Sequence, residues 1–362
     1  MDIDADVFVN SAVVIGLLLL GTVFVYQTRK KGRKANYLNF GLVFPVIGQS
    51  MYVLAIIYFF PDVQPIVAAK YIRDLFFGLF YYMVFLHYQA LSRQRLNITL
   101  NTVFAGILAM FGTVLSIHVI NPDVVFVAEV TRRTANLIGL AVFSYVSYAS
   151  LLTALKLKEK EAIIESMSLS VIFFAHVIYV LGDNGLLQIF KLGTGYEMLA
   201  DVLGTAGLFG FILTYLLNVN YLYRLPVPIH QIMIYSESGL PVYDRKVFTR
   251  GIENPEVESI LFAGVITAIS KLISESLGSL AKLRYIDASG KQIFIDSREG
   301  ISLVVIADRG TKFLLNSLEL LNNLIPSELK TAINATVTDM SELRPEMDRL
   351  VKKSFPYLEI RD

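Results

Sequence analysis

The chain has 362 residues, 54% of them hydrophobic and only 17% charged, with a mean hydropathy of +0.56. That composition is too apolar for a water-soluble protein of this length and reads as a membrane protein. A formal net charge of +1 argues against nucleic acid as a partner, and the absence of cysteine excludes disulfides, thiolate metal sites and a cysteine nucleophile.

The N-terminal "MDIDADVF" is acidic and lacks the basic stretch of a cleaved signal peptide, so the first apolar run is expected to be a retained anchor. Runs long enough to cross a hydrocarbon core are predicted at about 7–27, 37–60, 68–90, 98–120, 134–156, 162–182 and 197–223. Basic residues follow span one (Arg29, Lys30, Lys31, Arg33, Lys34), span three (Arg93, Arg95) and span five (Lys156, Lys158, Lys160). The connection after span four is ambiguous, because Arg132 and Arg133 stand against Asp123 and Glu129. The majority pattern places the N-terminus outside the cell membrane and the C-terminus in the cytoplasm. Aromatic residues cluster near span ends, in "IIYFF", "FFGLFYYMVFLHY" and "NYLYRL", as an interfacial belt would.

Polar residues inside the spans are few. Span three opens with Arg73 and Asp74, span six carries His176 and ends near Asp183, and span seven begins with Glu197 and Asp201, four residues apart on one helical face. Two readings stand. In one, these groups form an outward polar pocket for a small ligand or ion, with Arg73, Arg132 or Arg133 compensating the carboxylates. In the other, the first turn of span seven sits among headgroups, since a helix from Tyr196 to Arg224 would be ~43 Å long. His176, near mid-membrane, is either functional or bonded to a hydroxyl of "SYVSYAS" as packing glue. Gly204, Gly207 and Gly210, with Gly106, Gly112 and Gly139, read as sites of close helix contact.

Composition changes at "LPVPIH", where Pro226 and Pro228 favour an extended connector. The domains are therefore 1–224, seven membrane spans; 225–230, a linker; and 231–362, a cytosolic domain. In the last, a strand over 231–236 turns at Ser238 and Gly239 into a strand over 240–247. A helix comes next, with Leu261, Val265, Ile269, Leu272 and Ile273 on one face. "AKLRYID" and "KQIFIDS" form a second hairpin, "ISLVVIAD" a further strand, and "TKFLLNSLELLNNL" a helix capped by Asp308 or Thr311. Helical segments begin at about 327 and 341. The predicted fold class is an all-α seven-helix membrane bundle followed by a soluble α+β domain. That domain is a five-stranded antiparallel meander of order ββαβββα with helices on one face, plus C-terminal helices. A free sheet edge would be covered either by a partner or by those helices.

Motifs for chemistry are absent. There is no phosphate loop G-x-x-x-x-G-K-[ST], no H-E-x-x-H and no G-x-S-x-G. His87, His118, His176 and His230 are too scattered for a metal cluster. Glu237 and Asp244 read as turn polarity rather than an acid-base pair. Span seven lacks the lysine of retinal proteins, and neither D-R-Y nor N-P-x-x-Y of G-protein-coupled receptors occurs. No catalytic residue, metal or cofactor is expected, and the chain is not expected to be an enzyme.

The order of elements, with "IYSESGLPVYDRKVF" and "SLVVIADRGTKFLL", resembles a longin domain, a relative of the roadblock domains, over roughly residues 229–325. The turn "ESGLPVYDR" is similar to the one joining the first two strands in archaeal members. The resemblance implies a binding platform that docks a Ras-like small GTPase, dimerises through a helix or edge strand, and serves membrane remodelling, vesicle trafficking or signalling. Partner contacts are then expected around Ser238, Gly239, Tyr243 and Arg245. The alternative is a seven-span receptor whose polar pocket signals to the cytosolic domain.

Overall fold

Seven helical spans long and apolar enough to cross a membrane run through the computed structural model. It describes residues 3–30, 37–60, 62–92, 96–120, 125–157, 159–183, 195–218, 221, 228–248, 259–277, 283–288, 290–334, 340–356 and 358–360. The basic stretches at 31–36 and 93–95 and residues 225–227 of the expected connector lie outside the described residues. The chain divides into two compact units, residues 1–89 with 96–222 and residues 223–362 with the short stretch 90–95.

In the first unit the spans are α1 (Ile3–Lys30), a pair formed by α2 (Tyr37–Gly41) and α3 (Val43–Phe59), α4 (Val63–Ser92), α5 (Ile98–Ile120), α6 (Val125–Leu157), α7 (Lys160–Asp183) and α8 (Gly195–Leu217). A helix satisfies its own backbone hydrogen bonds, which hydrocarbon cannot do for it. Large apolar side chains such as Phe8, Ile98, Ile120, Met198 and Leu217 point away from the bundle, as a lipid-facing surface requires. Phe24, Phe80, Phe85, Phe111, Phe143 and Tyr215 fill its interior. The chain is a multi-pass membrane protein.

Helix α7 packs against both α6 and α8. A Cβ at Gly207 would stand 2.6 Å from Cγ1 of Ile172 and 2.8 Å from the Ser168 carbonyl, so the α7–α8 approach depends on its absence. Gly106 and Gly112 differ from that expectation. A Cβ on either would meet nothing within 4 Å, because both lie on the outward side of α5.

Span seven is shorter than predicted. Helix α8 stops at Leu217 instead of continuing to 223. The cause is tertiary: Asn218 turns its side chain onto Glu161 Oε1 at 2.9 Å, and the Tyr221 amide donates to the Asn218 carbonyl at 2.9 Å. At 1.5 Å per residue α8 spans ~35 Å, close to the hydrocarbon thickness.

The second unit contains a five-stranded antiparallel sheet formed by β1 (Ile229–Ser236), β2 (Pro241–Phe248), β3 (Tyr285–Ala288), β4 (Lys291–Arg298) and β5 (Ile301–Ala307), to which a two-residue strand, β6 (Glu359–Ile360), adds itself. Between and after them come α9 (Ser259–Leu277), α10 (Lys312–Leu324), α11 (Ser327–Asn334) and α12 (Met340–Ser354). The spatial order is β3-β4-β5-β1-β2-β6, which is not a meander. β1 lies between β2 and β5, with Ile232 opposite both Arg245 and Val305.

Every residue of β1 is buried, because both faces of the sheet are covered. Ile232 and Ile234 pack with Leu314, Leu321, Ile333 and Val351 of α10, α11 and α12. Met233 and Tyr235, on the opposite face by strand alternation, pack with Ile266 and Phe262 of α9. The expectation of helices on one face is thus corrected. Phe262 and Ile266 give α9 an apolar stripe of its own, which closes the face the other helices leave open.

Turn chemistry follows the sequence. Gly239 takes φ +84°, and Glu299 and Gly300 take φ +51° and +77° in the tight β4–β5 connection. Thr311, not Asp308, caps α10, its hydroxyl accepting from the Leu314 amide at 3.1 Å. One sheet edge is covered by the chain itself, as β6 pairs with Val247 and Phe248 of β2. The C-terminal helices do not make this cover. Among the described residues, β3 has a strand neighbour on one side only.

Candidate functional site

Arg73 sits on α4, its side chain only 14% exposed. An isolated guanidinium in that position would carry a large desolvation cost. Its Nε and Nη2 donate to Asp74 Oδ1 at 3.2 and 3.1 Å, and its guanidinium carbon stands 4.8 Å from the centre of the Tyr52 ring of α3. Asp201 of α8 adds a second carboxylate within electrostatic reach of Arg73. That carboxylate accepts a hydrogen bond from the Tyr179 hydroxyl of α7 at 2.5 Å. Side chains from α3, α4, α7 and α8 therefore meet at one end of the bundle.

Glu197 is a neighbour rather than a member. One turn before Asp201, it lies 3.9 Å from Lys70 Nζ and accepts from the Tyr196 hydroxyl at 3.4 Å. Both partners of the Lys70–Glu197 pair are about 40% exposed, so solvent screens it. The structure brings Arg73, Asp74 and Asp201 together and leaves Glu197 to Lys70. The side chains of Asp183 and Arg132 lie outside the described residues. Within the group are two carboxylates and one guanidinium, an arrangement whose surplus charge suits a cation or an amine.

His176 stands apart from these charges. Its Nδ1 donates to the Ile172 carbonyl of its own helix at 2.9 Å, and its ring lies 5.3 Å from that of Tyr81 and 5.4 Å from that of Phe143. A hydroxyl of "SYVSYAS" was the expected partner. Ser147 of that segment instead donates to the Leu169 carbonyl at 2.8 Å, and Ser150 to Glu165 at 3.3 Å.

Glu165 escaped the sequence reading. It is fully buried on α7 and accepts hydrogen bonds from Ser150 Oγ, from the Tyr221 hydroxyl at 2.9 Å and from the Tyr215 hydroxyl. The available signal was a carboxylate inside a predicted span, four residues after Glu161 and so on the same helical face. Above Tyr215 a void of about 10 Å³ is lined by Phe24, Leu38, Leu42, Phe211, Ile212 and Tyr215. It is apolar and distant in chemistry from the Arg73 group.

In the second unit, Ser238 is exposed at the tip of the first hairpin, its hydroxyl 2.7 Å from that of Ser236. Gly239 packs so closely on α9 that a Cβ would stand 2.8 Å from Thr267 Oγ1. Tyr243 and Arg245 face the interior. The Tyr243 hydroxyl donates to Asp348 Oδ1 of α12 at 2.7 Å, and Arg245 reaches the same carboxylate at 3.1 and 3.3 Å. Burial alone would raise the Asp348 carboxyl, but hydrogen bonds from Arg245 and Tyr243 prevail and hold it below its ordinary value. The Tyr243 hydroxyl is pushed up, by burial first and by Asp348 second. Of the four residues predicted to touch a partner, Ser238 presents its side chain to solvent, while Tyr243 and Arg245 hold α12 on the sheet.

Compared with protein-family models, with curated proteins and with solved structures, the chain matches none.

Proposed function

We propose that the chain is a membrane platform: seven spans hold a longin-like domain on the cytoplasmic face, where it binds or regulates a Ras-like small GTPase in membrane remodelling, trafficking or signalling. The observation that carries this reading is the sheet of the second unit, covered on both faces, paired with β6 at the end of one edge and, among the described residues, without a second strand neighbour at β3. An edge strand of this kind accepts another strand by backbone pairing. The positive-inside pattern supports a cytoplasmic position, and fixing the domain to a membrane raises the effective concentration of a membrane-bound partner.

The experiment is capture with the full-length protein in lipid nanodiscs, run in parallel with GDP and a non-hydrolysable GTP analogue. Retention of a Ras-like GTPase in one nucleotide state supports the platform. Its absence from both, with folded protein, sinks it.

A second reading is favoured by one observation, the convergence of Arg73, Asp74, Tyr179 and Asp201 from three spans. In it the polar group faces outside, binds a small cation or amine, and shifts the spans. Allostery of this kind needs a ligand with different affinity for two states of the bundle.

A further inference from the structure

Glu165 is the one carboxylate that α7 carries to full burial among the described residues, and its donors gather around the point where the chain leaves span seven. Ser150 belongs to α6, Tyr215 to the last turns of α8, and Tyr221 to the chain after α8 has ended. A carboxylate is an acceptor with room for several donors, so three hydroxyls converging on it are a chemically matched set. Four residues earlier on α7, Glu161 holds the Asn218 amide at 2.9 Å. The two glutamates thus grip the exit of span seven at two points along one face of α7.

The grip is not evenly built. Tyr215 is wedged among rings, 6.1 Å from Phe24, 6.3 Å from His87 and 5.2 Å from Phe211, and its helix fixes its direction. Tyr221 lies beyond the end of that helix. It is held by a turn hydrogen bond to Asn218, by its ring against Tyr215 at 5.9 Å and by Glu165, and it is fully buried. The placement of Tyr221 therefore depends on the carboxylate.

We infer that Glu165 is an exit clamp: it holds Tyr221, just beyond span seven, against the end of α8, and displacing or neutralising the carboxylate frees Tyr221. The inference rests on the membrane unit alone and stands whichever partner the second unit binds. It makes Glu165 a positioning residue and the point at which a rearrangement of α6, α7 and α8 would release Tyr221.

The absence of cysteine makes the test direct, since every introduced thiol is unique. Spin labels at Leu152→Cys and Leu217→Cys, both exposed positions near the clamp end, report the exit in the full-length protein in nanodiscs. A second pair, Val119→Cys and Met198→Cys, also exposed, reports the opposite end of α8 and serves as the folding control. The expected result is a single narrow distance at both ends in the parent. With Glu165→Gln the exit distance should lose that single peak and gain a second population, while the control pair is unchanged. Tyr221→Phe keeps the carboxylate, removes one hydroxyl and should produce the same loss at the exit. A narrow exit distance in folded Glu165→Gln overturns the inference. Should that variant fail the folding control, an unaltered exit in Tyr221→Phe overturns it instead.

Discussion

His176 lies where a side chain at Gly139 would be: a Cβ built there would stand 1.9 Å from the imidazole Cδ2 and Nε2. The ring belongs to α7 and the glycine to α6, so the histidine docks one helix on another. With Nδ1 satisfied by the Ile172 carbonyl and the ring enclosed by Tyr81 and Phe143, it acts in packing. Gly139→Ala should therefore destabilise the bundle, by roughly 1–3 kcal/mol as overpacked cores do. Adding His176→Ala to Gly139→Ala should restore part of that loss, because the two sites are directly coupled. Thermal unfolding of the detergent-solubilised protein measures both. Equal stability of parent and Gly139→Ala would show that the ring can step aside.

The seven spans were legible because a stretch of apolar residues of that length has few fates outside a membrane. Their ends were less so. Nothing in "LLNVNYLYR" announces that α8 stops at Leu217, since the stop is made by Glu161 of another helix. Glu165 was hidden for the same reason: its donors are 15, 50 and 56 residues away in the chain. In the soluble unit the strands could be read, but their arrangement could not. The unbroken apolar run Ile232, Met233, Ile234, Tyr235 does signal a strand buried on both faces, and that signal argued against helices on one face only.

Asp348 ties α12 to β2 through Tyr243 and Arg245. Asp348→Asn removes the charge that both donors meet, including the one the 9% exposed Arg245 guanidinium pairs with. Because Asp348 itself is 35% exposed, solvent softens the cost to roughly 1–3 kcal/mol. Hydrogen exchange should show the loss as faster exchange in α12, with β4 and β5 little changed.

The same carboxylate gives the second unit an acid limit. Asp348 is held below its ordinary value of 3.8, so the folded state binds fewer protons than the unfolded one in that range. Its contribution is fully present above the ordinary carboxylate value and is lost as pH falls through the lower folded one. Glu299, lowered by its hydrogen bond from Lys330, works with the same sign. Exchange protection of α12 should therefore fall in the acid range below about pH 4, and Asp348→Asn should flatten that fall. An α12 protected equally at neutral pH and throughout that range would contradict the assignment.

Glu197 and Asp201 separate the two functional readings. Neutralising Glu197 to Gln removes a screened pair with Lys70 and should cost about 0–1 kcal/mol. Asp201→Asn withdraws a carboxylate from Arg73 and Tyr179, and should cost somewhat more. On the platform reading, the double variant still captures the same partner from nanodiscs at parental yield. Loss of capture by protein whose thermal unfolding is otherwise near that of the parent would move the argument to the receptor reading.

β6 is two residues long, yet it covers the β2 edge at Val247 and Phe248. Phe355, almost fully buried, and Leu358, packed on the core beside it, anchor the approach. Removing residues 357–362 keeps Phe355 and should leave the sheet folded, since the five longer strands and both helical layers remain. The truncation unpairs Val247 and Phe248 on the β2 edge, and unpaired edges associate with one another. Light scattering of the truncated protein in detergent should accordingly report larger, concentration-dependent species where the parent gives one size. Restoring residues 357–362 with Leu358→Ser should reverse the association if edge pairing is its cause. Persistence of the larger species would assign them to exposed apolar surface left by Leu358.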